Sequence, residues 1–403
     1  VLTRDRVISS NAKASIAEVL SRHKFGKNLV IVCDDNTWLV AGQAIHQQLA
    51  NDYHITTHSL GRTPHATIAH TEALRTMASH ADGLIAVGSG TINDITKYAS
   101  TQLEKPYISI ATASSMNGYT SATASLEANG FKRSYPAKPP VAVIVDIDIL
   151  TAAPKRLARA GFGDTLCRST VEADMLLSHL LLGSPYPKEI FNTLRKHESN
   201  LIALATKLRD QEPAVITALM EALLDTGDAM ATFGSSAIAS QGEHMIAHTV
   251  EMIYSSEVMH ITHGEIIAVT TLTSGYLQQK MMLSHPKIKT VIRQESTFLR
   301  LFGQKRAPAL MEAYRGKVLS TDQVNDISTK LETGWADIKQ QLNAIILLPK
   351  TVERAFMVAT VPTKPSDIKL DDERYKTAAN NAHMTRERFT FLDLAAMNDK
   401  MVV

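Results

Sequence analysis

Between residues 28 and 145 the chain repeats one pattern: a short apolar run, a turn, then helical spacing. Leu29-Val30-Ile31-Val32, Leu84-Ile85-Ala86-Val87, Tyr107-Ile108-Ser109-Ile110 and Val141-Ala142-Val143-Ile144-Val145 have the length and composition of buried strands. His54 to Leu60 is a further strand candidate, and helical patterns cover 12–23, 38–50 and 66–79. Such alternation predicts a mostly parallel sheet with helices on both faces. Phe131 to Pro140, rich in Lys, Pro and Tyr, is expected to be a loop or hairpin excursion. After Val145 no stretch is convincing as a strand. Helical patterns follow at 164–182, 187–210, 213–231, 241–253, 265–282, 287–301, 305–316, 321–345 and 350–359, with one or two more between Asp371 and Met397. The expected architecture is an α/β domain over 1–155 with a mostly parallel sheet, followed by an all-α domain over 156–403.

Composition narrows the function classes. At 403 residues the chain is long enough for two cores, and 44% apolar with 20% charged residues is typical of soluble globular proteins. A net charge of +2, with no block of like charge, gives no reason to expect nucleic acid or an acidic membrane surface as partner. Aromatic residues at 5% argue against stacking platforms for single strands. Two cysteines, Cys33 and Cys167, make no disulfide framework and fit a reducing cytoplasm. No apolar run reaches membrane-spanning length, and the N-terminus from Val1 lacks the apolar core of a signal peptide.

Three stretches carry chemistry. Gly88-Ser89-Gly90-Thr91-Ile92-Asn93-Asp94 follows a strand and opens a helix. There glycines let the backbone approach a diphosphate and free amides face the anion. Asn93 stands where the full dinucleotide fingerprint needs a third glycine, so a simple tight turn is the competing reading. Asp34, at a strand end, suits either an adenosine ribose, which would favour NAD over NADP, or a helix N-cap. Thr112 to Gly118 places small polar residues at another strand's carboxyl end, where ligands of open α/β sheets bind. In the helical half, His244 and His248 are four residues apart on one helix face, and His263 precedes Gly264, which permits a sharp turn. With a distant carboxylate, Asp164 being the best candidate, these imidazoles make an open divalent-metal site. With 15 histidines in the chain, a chance pair is the bland alternative. A cleft between the two halves is where cofactor and metal would meet.

The order of these motifs resembles the sn-glycerol-1-phosphate dehydrogenase family, within the superfamily of iron-containing alcohol dehydrogenase, glycerol dehydrogenase and dehydroquinate synthase. The resemblance rests on Gly88 to Lys97, Thr112 to Ser121, Ser134 to Pro140, Ala160 to Asp164, Gly242-Glu243-His244 with His248, His263-Gly264-Glu265, and Arg386 to Asp393, and so spans nearly the whole chain. It implies a metal, usually zinc with nickel or iron possible, on Asp164, His244 and His263, with His248 contacting substrate. It assigns Gly88, Ser89, Gly90, Asn93 and Asp94 to the diphosphate of NAD or NADP. Thr112, Ser115 and Ser121 would touch the cofactor, and Asp34 the ribose. It further implies a phosphorylated polyol or ketose substrate, a place in phospholipid metabolism, a homo-oligomer such as a homodimer, and a cytoplasmic enzyme.

Two departures stand out. Asn117 occupies a substrate-contacting position where the family has Asp; it hydrogen-bonds a polyol but is no base. Ser240-Gln241-Gly242 replaces the family's Ser-Gly-Ala before Glu243. Arg168, one turn after Asp164, stands where some relatives carry a fourth, histidine ligand. Lys97 is expected either to neutralise phosphate or to be a solvated surface lysine. The expected reaction interconverts dihydroxyacetone phosphate and sn-glycerol 1-phosphate, the metal acting as Lewis acid and the nicotinamide exchanging hydride, with His248 and Asp164 at the centre. The alternatives are a dehydroquinate synthase-like lyase or cyclase with tightly bound NAD, and a cofactor-binding protein of reduced activity.

Overall fold

Six strands form one parallel sheet in a computed structural model that describes residues 2–128 and 131–403; Val1 lies outside the described residues. The strands are β1 (Asp5–Ser9), β2 (Asn28–Cys33), β3 (His54–Ser59), β4 (Gly83–Gly88), β5 (Tyr107–Ala111) and β8 (Ala142–Asp146), in spatial order β1-β8-β5-β4-β2-β3. Composition explains the order. β4, β5 and β8 are buried at every residue and lie inside the sheet. β3, reading His-Ile-Thr-Thr-His-Ser, and β1, with Asp5, Arg6 and Ser9, occupy the edges. β1 escapes sequence analysis because only Val7 and Ile8 are apolar; its register on β8, Val7 opposite Ile144, supplies the rest. The expected excursion near 131–140 is an antiparallel hairpin of β6 (Thr123–Ala128) and β7 (Phe131–Pro136).

The helices beside this sheet are α1 (Ile16–Arg22), α2 (Asp35–Thr37), α3 (Gln43–Leu49), α4 (Ile68–Met77), α5 (Gly90–Leu103), α6 (Ile147–Ala152) and α7 (Lys155–Thr165). The single helix expected over 38–50 is α2 and α3 joined by a π-helical turn at Trp38–Gly42. The rest of the chain is helical: α8 (Arg168–Leu182), α9 (Lys188–Ala203), α10 (Ala205–Leu208), α11 (Pro213–Phe233), α12 (Gly242–Ile253), α13 (Ser255–Val258), α14 (His263–Met282), α15 (Glu295–Arg315), α16 (Thr321–Asn343), α17 (Pro349–Val358), α18 (Asp372–Asn381) and α19 (Phe391–Met397). The helix expected over 287–301 begins only at Glu295. Upstream, the Lys287 and Lys289 amides donate to Asn398 Oδ1 and the Met397 carbonyl, so these donors are used outside a helix. The expected break between this helix and the one over 305–316 is present within α15: Gly303, with φ of 72° and ψ of 167°, is non-helical and separates two helical segments.

The chain divides into two compact units. The first comprises 1–165 and 199–236, the second 166–198 and 237–403. The sequence reading made a single cut at 155/156. In the structure α7 and α11 pack together with the sheet-bearing part, and α11 is tied to it by the Asp225 and Asp228 carboxylates, which hold Arg6 of β1.

Candidate active site

In the first unit, β2 leads by α3 to β3 on one side, whereas β4 leads by α5 to β5 on the other. Neighbouring strands whose connections depart in opposite directions make a topological switch point, where open α/β sheets bind ligands at the carboxyl ends. Asp34 ends β2 and Gly88-Ser89-Gly90 ends β4, so both predicted cofactor elements flank that point. A Cβ on Gly88 would lie 2.5 Å from Ile92 Cβ, so this glycine permits close helix–strand packing. At Gly90 the nearest atom is Met116 Cγ at 3.4 Å, leaving the helix start approachable. Ser89 makes no side-chain cap on α5. The first amides of this 14-residue helix are thus left to an anion or water.

Asp34 is a helix N-cap. Its Oδ1 accepts from the Thr37 amide at 2.7 Å, and Thr37 Oγ1 accepts from the Asp34 amide at 2.9 Å, a capping box on α2. The Thr112 amide bonds the Gly88 carbonyl at 3.2 Å, which brings the 112–121 loop beside the Gly88 turn. Ser115 and Asn117 are half-buried in that loop. Other predicted cofactor residues are committed to the scaffold. Buried Asn93 meets the Gly118 carbonyl and Tyr107, and Asp94 Oδ2 accepts from the Ser125 amide at 3.0 Å. The Ser121 hydroxyl bonds Lys97, Gly118 and Thr123.

Lys97 is neither solvated nor free for phosphate, correcting both expectations. It is fully buried, and its Nζ donates to Gly118 O at 2.5 Å, Ser121 Oγ at 3.0 Å and Thr123 O at 3.0 Å, with Asp94 at 3.7 Å. Burial pushes this ammonium down to about 8, with Asp94 pulling the other way. Two glycines press helices onto the same loop: a Cβ on Gly161 of α7 would fall 2.0 Å from Ser114 O, and one on Gly227 of α11 would fall 2.2 Å from Thr120 Oγ1. Asp164, one turn after Gly161, is buried in the last turn of α7.

In the second unit three imidazoles converge. Ring centroids are 5.3 Å apart for His244 and His263, 5.1 Å for His248 and His263, and 6.0 Å for His244 and His248. His244 and His248 come from one face of α12, as their spacing predicts. His263 is the first residue of α14, set there by a capping box in which Glu265 accepts from Thr262 at 2.8 Å. The turn is therefore made by Thr262 and Glu265; Gly264 is helical.

Carboxylates orient all three rings. His244 Nδ1 donates to Glu243 Oε1 at 2.8 Å, His248 Nδ1 to Glu251 Oε2 at 3.0 Å and His263 Nδ1 to Glu251 Oε1 at 2.7 Å. Each Nε2 is then the unprotonated nitrogen suited to a metal or substrate proton, the usual carboxylate-backed arrangement of metal-binding histidines. This donor chemistry fits a divalent cation. Burial pushes His248 down to about 3, opposed by Glu251 and reinforced by Arg386, so the ring is neutral at pH 7 rather than poised to titrate there. Glu251 was missed in the sequence because a carboxylate three residues after a helical histidine is common on solvated faces. The His263 partnership, 12 residues away, is visible only in three dimensions.

The start of α12 is fixed from elsewhere in this unit. The buried Asp174 carboxylate of α8 accepts from the Gly242 amide and the Phe391 amide, both at 2.9 Å. Arg388 donates to the Ser240 carbonyl and, at 3.1 Å, to its hydroxyl. A Cβ at Gly242 would come 2.7 Å from Asp174 Oδ2, so the Ser240-Gln241-Gly242 departure matches the local packing. Arg168 takes no ligand role; it is buried in ion pairs with Glu172 and Glu198.

Comparison with known proteins gives the family. A family model described as iron-containing alcohol dehydrogenase matches residues 7–154. The glycerol-1-phosphate dehydrogenase (NAD(P)+) of Bacillus velezensis is 35% identical over 295 residues, covering 70% of this chain and 73% of that one. That of Methanosphaerula palustris is 34% identical over 278 residues, covering 68% and 75%. Among solved structures, a probable glycerol dehydrogenase from Sinorhizobium meliloti superposes with a TM-score of 0.64 at 18% identity, over 99% of this chain and 95% of that one. Sulfoacetaldehyde reductase from Bifidobacterium kashiwanohense, in complex with NAD+, gives 0.61 at 14% identity, over 100% and 98%. Fold and sequence together define an NAD(P)-linked oxidoreductase of the iron-containing alcohol dehydrogenase type. Within that class the chain belongs to the glycerol-1-phosphate dehydrogenase family.

Proposed function

We propose that this protein interconverts dihydroxyacetone phosphate and sn-glycerol 1-phosphate, using NAD or NADP and one divalent cation. The observation that carries the reading is the trio of carboxylate-backed imidazoles on α12 and α14, in a chain 35% identical to a glycerol-1-phosphate dehydrogenase. Asp164, His244 and His263 are the proposed metal ligands, with zinc favoured by two imidazoles and a carboxylate. When bound, the cation supplies Lewis acidity and the nicotinamide supplies the hydride. Glu243 and Glu251 hold the ring orientations, and neutral His248 offers Nε2 to a substrate hydroxyl. The amides opening α5 receive the cofactor diphosphate, beside the loop carrying Thr112, Ser115 and Asn117. Asn117 binds a substrate hydroxyl without acting as base.

The test is NADH oxidation by zinc-loaded protein with dihydroxyacetone phosphate, repeated after nickel or iron loading. Turnover dependent on both cation and phosphorylated ketose is expected. Turnover confined to another ketose phosphate would move the substrate, and phosphate release without net NADH change would replace the reaction. We further propose a cytoplasmic homodimer, checked by fractionation and by light scattering.

A further inference from the structure

We propose that Arg386 is the residue that receives the phosphate of the substrate, an inference that rests on the function proposed above. The placement comes from the segment around it. The 3-10 turn Ala382–Met384 packs on α12, and Arg388 is anchored to Ser240, just before the same helix. Arg386 is thereby held along the helix that carries His244, His248 and Glu251.

Its neighbours differ sharply from it in how their charges are met. Lys317 is paired with Asp393 at 2.8 Å and donates to Arg388 O at 3.0 Å. Arg388 is bonded to Ser240. Arg306 donates to Met252 O at 2.6 Å at the end of α12. Arg386, half-buried, has no hydrogen bond or ion pair among the described residues. Its segment packs on the helix that carries the imidazoles, and its charge is felt at His248 and Glu251, so it lies within electrostatic reach of the cluster. Glu251 does not complete it, because both of its oxygens already accept from imidazoles.

A half-buried guanidinium whose donors are unspent within the protein can take an anion without giving up another partner. Its planar fork matches phosphate oxygens better than an ammonium does. A small substrate whose reacting carbon lies at the imidazoles would carry its phosphate within a few ångströms of that centre. Arg386 is a cation beside that helix with no partner among the described residues. The role makes it a determinant of specificity: it selects the phosphorylated ketose over the free one.

The test compares the metal-loaded wild type with Arg386→Gln and Arg386→Lys, using dihydroxyacetone phosphate and dihydroxyacetone with NADH. For the phosphorylated substrate, KM rises roughly ten- to a hundredfold in the Gln variant, the loss expected for a charged hydrogen-bonding partner, and part of it returns with Lys. For dihydroxyacetone the loss in kcat/KM is smaller, so the preference for the phosphorylated substrate falls by about tenfold or more. Equal losses on both substrates, or no loss on the phosphate, would overturn the proposal. Equilibrium dialysis with radiolabelled inorganic phosphate gives a second reading. Wild type binds and Arg386→Gln does not; equal binding by both overturns the assignment. If wild type fails to turn over dihydroxyacetone phosphate yet phosphate binding still depends on Arg386, the proposed reaction fails while the anion site stands.

Discussion

A single carboxylate, Glu251, settles the orientation of two of the three site imidazoles, His248 and His263. Removing its charge by Glu251→Gln is expected to weaken metal affinity about 10- to 100-fold, read by competition with a chromogenic chelator. His244→Ala and His263→Ala are expected to empty the site by metal analysis. His248→Ala should keep metal and lose rate or substrate affinity; an empty site in that variant would refute the division of roles. Lys97 supports a pH prediction. Its ammonium is pushed down to about 8 from an ordinary 10.5, so between these values the unfolded chain holds a proton that the folded chain has released. The stability due to Lys97 therefore rises with pH across that window and is lower, by a constant amount, below it. Urea unfolding of wild type and Lys97→Met from pH 6.5 to 10 should show the difference moving toward wild type, by at most about 1.4 kcal/mol per pH unit. A flat difference would contradict the burial argument. Of these residues the sequence made the histidines legible through spacing, and hid Lys97 and Glu251, because burial and a partner 12 residues away have no local signature.

At the scale of elements, glycines fix how closely the parts of each unit approach. Gly161→Ala would place a methyl 2.0 Å from Ser114 O, a backbone atom that moves only with its loop. The expected result is destabilisation of about 1–3 kcal/mol in urea and a raised cofactor KM, because that loop also contacts the Gly88 turn. A normal KM with lowered stability would separate packing from cofactor binding and count against the loop's role. The strands β2, β4, β5 and β8 were legible as apolar runs because buried parallel strands tolerate nothing else. The edge strand β1 was not, since its partner rather than its composition decides it. The start of α15 was misread for a similar reason: the residues before it bond to the chain's far end instead of to one another.

At the scale of the whole molecule, the chain leaves the first unit after residue 165, returns at 199 and leaves again after 236. α11 brings Asp225 and Asp228 to Arg6, the Leu224 carbonyl to Thr120 Oγ1 at 2.7 Å, and Gly227 against the 117–120 backbone. A fragment ending at 165 lacks all of these and is expected to unfold without a cooperative transition in circular dichroism. Joining 199–236 to it through a short flexible linker should restore one; cooperative unfolding of 1–165 alone would show α11 to be dispensable. Helical periodicity announces α11 clearly, but contains nothing about which unit claims it. This interleaving also sets an order on synthesis. The sheet emerges from the ribosome first, yet its unit cannot close until residue 236 has been made. By then α8, whose partners α12, α14 and α16 are still to come, is already exposed. The nascent chain thus carries α8 unpaired until the helices it packs against have been made.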